Sequence, residues 1–152
     1  MDPAGLYPVR APVPWAEEEG RVVVLLPKRL GPVARAIQGL AGGPSHLRVP
    51  LDEVGSQAFR LADGSRTARA LAQELERAFG ERAGPEPRAL AFLTNLARNG
   101  VLRLAEAPTP APAPQGPPLR VAECAACGRG FHIAEAPGTR LRCPMCGRGL
   151  RA

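Results

Sequence analysis

The sequence predicts an α+β fold, and three observations on its 152 residues lead to that class. Residues 51–99 contain three stretches with apolar side chains at helical spacing, each followed by a glycine. Residues 7–26 and 101–105 hold short runs rich in valine and leucine, which are typical of strands. Four cysteines in two close pairs near the end indicate a separate metal-binding unit.

The first strands are short and interrupted. Residues 7–9 and 13–16 are extended candidates whose prolines suit the edge of a sheet. Residues 21–26 are apolar after the first arginine and do not alternate with polar residues. A strand with one face in water would alternate, so we expect this strand to be covered on both faces. Residues 46–49 predict a further short strand.

An inserted helix is predicted within residues 28–45. Pro32 lies near its start, and Gly42 with Gly43 and Pro44 forms the stop signal. Its apolar residues recur at helical spacing, and they are Leu30, Val33, Ile37 and Leu40. The pattern indicates a short amphipathic helix that packs on the sheet.

Residues 51–67 predict one complete helix and the start of the next. Asp52 is a candidate N-cap, because its carboxylate can accept a hydrogen bond from a backbone N–H one turn later. Gly64 ends this helix, since glycine adopts the left-handed conformation without a Cβ penalty. Ser65 or Thr67 caps the next helix. So short a corner makes the two helices cross, which predicts a helix-turn-helix.

Two more helices and a strand complete this part of the chain. The second helix spans residues 67–79 and ends at Gly80, and the third spans residues 86–99 and ends at Gly100. Residues 101–105 predict the last strand. We expect a domain over residues 1–105.

A proline-rich segment follows this domain. Residues 106–119 contain six prolines in 14 residues, a composition that favours polyproline II. Such a spacer reaches on the order of 40 Å at full extension. The chain is therefore predicted to consist of a domain at 1–105, a linker at 106–119 and a separate cysteine-containing module at 120–152, called the ribbon below.

The cysteines carry the strongest chemical signal. Cys124 and Cys127 form one Cys-x-x-Cys pair, Cys143 and Cys146 form another, and 15 residues separate the pairs. A two-residue gap lets both sulfurs of a pair reach one ion, and two such pairs complete a tetrahedron. The pattern resembles a prokaryotic zinc ribbon and predicts one structural Zn²⁺. The alternatives are a redox dithiol and an iron–sulfur centre. His132 is not expected to be a ligand, because four sulfurs fill the site.

Charge and composition limit the remaining functions. No secretory signal is visible in residues 1–15, and the longest apolar run is too short to span a membrane. We therefore expect a cytoplasmic chain without membrane contact, in which close cysteines favour metal over disulfides. Residues 120–152 hold six basic and two acidic residues, but four thiolates on one Zn²⁺ would reduce that excess.

Catalysis is not expected. The two histidines, His46 and His132, lie in different predicted modules, and no glycine-rich phosphate loop is present. Nucleic-acid binding is the alternative function, because a helix-turn-helix with a basic ribbon suits it. The third helix carries only Arg88 and Arg98 as basic residues, whereas the ribbon offers arginines at 129, 140, 142, 148 and 151.

Several motifs in the first domain are similar to those of a known family. They are Val-Leu-Leu-Pro at 24–27, Val-Pro-Leu-Asp at 49–52, Leu-Ala-Asp-Gly-Ser-Arg-Thr at 61–67 and Phe-Leu-x-x-Leu-x-x-x-Gly-Val-Leu at 92–102. In this order and spacing, residues from about 8 to 105 resemble the pyrroloquinoline-quinone biosynthesis protein D family. The resemblance implies a winged helix-turn-helix, here a small antiparallel sheet with three helices and the inserted helix.

The resemblance also implies a function without catalysis. Members of that family hold the leader of a precursor peptide and present it to a modifying enzyme, often a radical S-adenosylmethionine enzyme. The leader adds a strand to the sheet edge beside the third helix. By position, the docking strand here would be Leu47, Arg48 and Val49. The groove side of the helix would be Arg88, Phe92 and Asn95. Apart from the resemblance, we expect the zinc ribbon to contact a second protein or a nucleic acid.

Overall fold

The computed structural model describes residues 2–151, with only the backbone of Arg151. Within these residues there are four α-helices: α1 (Pro32–Ala41), α2 (Glu53–Leu61), α3 (Ala68–Phe79) and α4 (Glu86–Arg98). The strands are β1 (Tyr7–Arg10), β2 (Trp15–Glu18), β3 (Arg21–Pro27), β4 (His46–Pro50), β5 (Leu102–Ala105), β6 (Arg120–Glu123), β7 (Gly130–Ile133), β8 (Arg140–Arg142) and β9 (Gly149–Arg151). The predicted α+β class is confirmed.

The strands pair in small sheets. β1 pairs antiparallel with β5, so that Tyr7 lies opposite Ala105 and Arg10 opposite Leu102. A second sheet has the order β2-β3-β4, and the remaining strands form the antiparallel pairs β6-β7 and β8-β9. Among the described residues no helix has the length and apolar character needed to cross a membrane.

The chain divides into two compact units, each assembled from separate stretches of sequence. Unit 1 consists of residues 1–12, 20–22 and 50–114, and unit 2 of residues 13–19, 23–49 and 115–152. Unit 1 therefore contains β1, the three helices α2 to α4 and β5. Unit 2 contains β2, most of β3 and β4, helix α1 and the four strands of the cysteine region. The division at 105 and 120 stays a prediction.

In unit 1 the helices α2 and α3 begin at side-chain caps that are among the candidates in the sequence. Asp52 accepts a hydrogen bond from Gly55 N–H (2.7 Å) at the start of α2. The hydroxyl of Thr67 accepts one from Ala70 N–H (3.3 Å) at the start of α3. The interior is formed by large side chains with almost no exposed surface, among them Phe59, Leu71, Leu75, Leu93 and Leu102. The winged-helix assignment itself stays a prediction.

Strand β3 is buried over four consecutive residues, Val22 to Leu25. Val23, Val24 and Leu25 are all less than 5 % exposed, which confirms that this non-alternating strand is covered on both faces. Lys28 N–H donates to Ser45 C=O (2.9 Å) at one end, and Leu51 N–H donates to Val22 C=O (2.9 Å) at the other. These two bonds make β3 and β4 antiparallel.

The helix predicted in residues 28–45 is present as α1, but its predicted packing is wrong. Val33, Ile37 and Leu40 are 74 %, 62 % and 92 % exposed, so the apolar side of α1 faces solvent rather than the sheet. Helical spacing determines which side chains share a face, but it does not determine what that face contacts. Leu25 of β3 instead borders a cavity together with Phe131 of β7.

The cysteine region consists of two strand–knuckle–strand hairpins. Strand β7 pairs with β6, and β8 pairs with β9. The reason is local, because Cys124 N–H donates to Arg129 C=O (3.0 Å) and Cys143 N–H donates to Arg148 C=O (2.9 Å). Each knuckle thus folds the chain back on itself.

Candidate functional site

The four cysteines meet at one point between the two knuckles. The Sγ atoms of Cys124, Cys127, Cys143 and Cys146 all lie within 4.8 Å of one another. Two pairs are closer still, with 3.6 Å between Cys124 and Cys146 and 3.7 Å between Cys127 and Cys143. A disulfide would need about 2.05 Å. The four cysteines are therefore free thiols that form one cluster.

The sulfur positions fit a tetrahedral ion. Metal–sulfur bonds of about 2.3 Å in a regular tetrahedron place neighbouring sulfurs about 3.8 Å apart. The two short distances, 3.6 and 3.7 Å, are close to this value. The cluster could hold a metal ion, and four sulfurs would leave no coordination position for water or substrate.

The knuckle backbone prepares the first cysteine of each pair to be a thiolate. N–H groups of Cys146 and Met145 point at Cys143 Sγ and, against the opposing effect of burial, lower the pKa of Cys143 to about 6. N–H groups of Cys127 and Ala126 likewise lower the pKa of Cys124. A lowered pKa favours the deprotonated form that binds metal.

The second cysteine of each pair behaves in the opposite way. The Arg148 N–H lowers the pKa of Cys146, but burial and the neighbouring sulfurs outweigh it and raise the pKa to about 11. Cys127, which faces the Arg129 N–H, also has a raised pKa for the same reasons. Metal binding at this cluster would therefore release protons from these thiols.

A glycine completes each knuckle. Gly128 and Gly147 follow the second cysteines, and their φ angles are +71° and +72°. Side chains with a Cβ rarely adopt this conformation, so glycine is required where each knuckle turns. Gly128 N–H donates to Cys124 C=O (2.7 Å) and Gly147 N–H donates to Cys143 C=O (2.9 Å). His132 is not a member of the sulfur cluster.

The predicted docking residues fall into two groups that belong to different units. Leu47, Arg48 and Val49 lie on β4, the end strand in the order β2-β3-β4. Leu47 is 55 % exposed. Because Ser45 C=O and Leu51 N–H face β3, alternation turns the backbone groups of His46 and Arg48 to the outer edge.

Arg88, Phe92 and Asn95 follow one stripe of α4 in unit 1. Arg88 lies over Gly84, where an added Cβ would come within 2.5 Å of its Cδ. Phe92 is near Gly55 of α2, and Asn95 accepts a hydrogen bond from the Asn99 side chain (3.1 Å). Asn95 also borders a shallow groove with Leu90 and Thr94.

Two glutamates in unit 2 were not predicted as functional residues. Glu135 is 6 % exposed and accepts hydrogen bonds from Ser45 N–H (2.9 Å), Ser45 Oγ (2.7 Å) and His46 N–H (2.8 Å). Burial raises the pKa of Glu135, but these hydrogen bonds outweigh it and leave the pKa below its ordinary value. Glu135 thus binds the backbone at the start of β4.

Glu18 of β2 is the second glutamate, and it contacts the side chain of Arg48 on β4. It pairs with the Arg48 guanidinium through two hydrogen bonds and accepts another from His132 N–H (2.6 Å). Burial raises its pKa, and the bonds from Arg48 and His132 more than offset this, so the pKa is lowered. Arg48 also donates to His132 C=O (3.2 Å) and lies over the Phe131 ring at 5.6 Å. No local sequence signal could have identified either glutamate, since their partners are distant along the chain.

A cavity of about 660 Å³ lies beside β4 within unit 2. Its apolar wall includes Leu25, Leu47, Phe131, Ile133 and Leu141. Its polar residues include Lys28, Arg48, Glu135, Arg140 and Arg142. This volume and this mixture of an apolar wall with a few polar groups are typical of ligand pockets.

Comparisons of this chain with protein-family models, with curated proteins and with solved structures find no match.

Proposed function

We propose that this protein is a non-catalytic adaptor that binds an extended peptide segment by strand addition at β4. The observation that carries the proposal is the position of β4 at the end of the three-stranded sheet. An end strand has a row of backbone N–H and C=O groups for an incoming strand. The resemblance to the pyrroloquinoline-quinone biosynthesis protein D family supports the same role.

The peptide would pair with the outward backbone groups of Arg48. Glu135 already binds the N–H groups of Ser45 and His46, so the added strand meets that carboxylate at one end. The side chains of Leu47 and Val49 would contribute apolar contacts. On this proposal the occupant is a precursor leader peptide or a segment of a partner protein, presented to a modifying enzyme such as a radical S-adenosylmethionine enzyme.

The cysteine cluster is proposed to hold one structural Zn²⁺. The spacing of the two pairs and the tetrahedral sulfur separation support zinc, and a closed four-thiolate site has no open position for chemistry. When bound, the ion would crosslink the two knuckles. The proposal places the protein in the cytoplasm, where thiols remain reduced.

The test begins with the zinc-loaded full chain and a displayed library of random dodecapeptides. A selected peptide should slow hydrogen exchange at Arg48 N–H, which gains a partner, and leave Leu47 N–H unchanged because it faces β3. The proposal fails if no peptide is selected, or if the selected peptides protect only amides outside 46–49.

Duplex DNA provides the competing measurement. A nucleic-acid regulator would bind a 20-base-pair duplex with an affinity that falls steeply as salt rises. We expect no such binding at low salt. Tight, salt-dependent binding to the duplex without any selected peptide would replace the adaptor with the nucleic-acid function.

A further inference from the structure

We propose that the cavity beside β4 selects its occupant: an extended peptide that places an aliphatic side chain next to a carboxylate. This inference rests on the proposed function, because it assumes that a peptide adds to β4. It assigns the chemistry that the peptide must carry.

The apolar wall calls for an aliphatic side chain. Leu47 of β4 is 55 % exposed although it lines the same cavity as Leu25, Phe131 and Ile133, which are each at most 6 % exposed. An apolar group seated against Leu47 would remove this surface from water, which is favourable by about 25 cal/mol per Å². A side chain of an added strand would reach the cavity directly, because Leu47 belongs to the docking strand itself.

The charges at the cavity call for a carboxylate. Lys28, Arg140 and Arg142 are exposed at its border, and none of them has an acidic partner among residues 2–151. Arg48 is paired with Glu18, and the Glu135 carboxylate is held by hydrogen bonds from Ser45 and His46. The three cations Lys28, Arg140 and Arg142 outnumber this one carboxylate, so the excess charge at the cavity is positive and attracts an anionic group.

Glu135 shows that a carboxylate can be bound beside this cavity. Its carboxylate sits in unit 2 beside the same cavity and takes three hydrogen bonds from the start of β4. A carboxylate from an added peptide would find cations nearby where Glu135 finds N–H groups. The volume of about 660 Å³ suits side chains of a bound peptide rather than a whole folded partner.

The experiment uses a peptide selected from the library and its matched form with each Glu or Asp replaced by Gln or Asn. We expect selected peptides to combine aliphatic and acidic residues, and the amide form to bind at least ten-fold more weakly. The double variant Arg140→Gln/Arg142→Gln should weaken the acidic peptide by a similar factor. The amide peptide should bind this double variant about as strongly as the acidic peptide does, because the contact between carboxylate and arginine is already lost.

Two control variants isolate the cavity. Arg148→Gln removes the same charge from the ribbon outside the cavity lining and should change affinity less than two-fold. Leu47→Asp should reduce binding at least ten-fold, whereas Leu40→Asp, on the exposed side of α1, should not. Zinc content and circular dichroism of each variant establish that it is folded.

The outcomes separate the two proposals. A peptide that protects Arg48 N–H but binds equally well to the Arg140→Gln/Arg142→Gln variant and to Leu47→Asp leaves the adaptor standing and overturns the cavity. Selected peptides without acidic residues also overturn it. If no peptide binds and the same arginine variant instead weakens binding to duplex DNA, both proposals are overturned.

Discussion

Unit 1 and unit 2 are stabilised by different interactions. In unit 1 most of the largest fully buried side chains are apolar, including Phe59, Leu71, Leu75 and Leu93. In the ribbon of unit 2 the buried cluster has six members, and two of them are the cysteines Cys124 and Cys143. Unit 2 also relies on the buried carboxylate of Glu135.

This difference has a physical consequence. The stabilisation from burial of apolar surface depends little on metal concentration or on pH. The stabilisation from metal-bound thiolates depends on both, and that from carboxylates depends on pH. Unit 1 should therefore keep its structure over a broad range of conditions, and unit 2 should lose stability when metal is removed or its glutamates are protonated. Four measurements test this comparison, from the largest expected effect to the smallest.

Removal of the metal should have the largest effect, and it should be confined to unit 2. Cys143→Ser or a strong chelator should abolish binding of one zinc per chain, since binding free energies of structural zinc sites are about 10–16 kcal/mol. Hydrogen exchange should then become rapid in residues 120–151 and stay slow at Leu71 and Leu75. Met145→Ser, in the same knuckle but 58 % exposed, is the control and should retain zinc. Equal loss of protection in both units would contradict the comparison.

The second measurement concerns the core of unit 1. Leu71 is fully buried in α3, so Leu71→Ala should lower the free energy of unfolding by about 2–5 kcal/mol. Leu40, in α1 of unit 2, is 92 % exposed, and Leu40→Ala should change it by less than about 0.5 kcal/mol. Urea denaturation followed by circular dichroism measures both variants. Similar losses for the two leucines would mean that the exposed side of α1 is covered in solution.

The third measurement uses pH. Glu135 and Glu18 have pKa values below the ordinary 4.5. Their contribution to stability is therefore complete above that value and is lost as the pH falls through the lower pKa of the folded state. Glu135→Gln should cost unit 2 about 1–3 kcal/mol at pH 7, because charged hydrogen bonds are lost.

The difference between wild type and Glu135→Gln should shrink as the pH falls below 4.5, since a protonated glutamate resembles glutamine. Hydrogen exchange of residues 45–49 at several pH values measures it. Glu123→Gln, an exposed change in the same ribbon, is the control. A difference that does not vary with pH would show that the carboxylate charge is unimportant.

The smallest effects are expected at the helix starts. Thr67 caps α3 in unit 1, and Thr67→Ala should cost about 1 kcal/mol. Gly31 precedes α1 in unit 2 without a side-chain cap, and its backbone is extended with space for a side chain. Gly31→Ser should therefore stabilise unit 2 by a few tenths of a kcal/mol. Thermal unfolding and local hydrogen exchange distinguish the two.

Local signals made much of this fold predictable. Asp52 is predictable as a cap, and Thr67 as one of two candidates with Ser65, because capping depends on residues within one turn. The cysteine cluster was predictable because two residues between ligands is a local constraint. In each case the physical cause acts over only a few residues.

Other features depend on residues that are far apart in the chain. The exposed side of α1 has the same spacing as a buried helix face, so the pattern alone could not show that it lacks a cover. The partners of Glu135 are Ser45 and His46, 90 and 89 residues earlier. Strands β6 and β9 are only four and three residues long, too short for alternation to be recognised.

The assembly of each unit from separate stretches also sets an order of events during synthesis. Every segment of unit 1 has been made once residue 114 has been added, whereas unit 2 still lacks residues 115–152. Ser45 and His46 must therefore wait for Glu135, and Glu18 for His132, which the ribosome adds later, at about 5–20 residues per second. During that interval β4 has neither Glu135 nor the ribbon beside it. A peptide or chaperone present in the same cell would therefore meet the backbone N–H groups of Ser45 and His46 before Glu135 binds them.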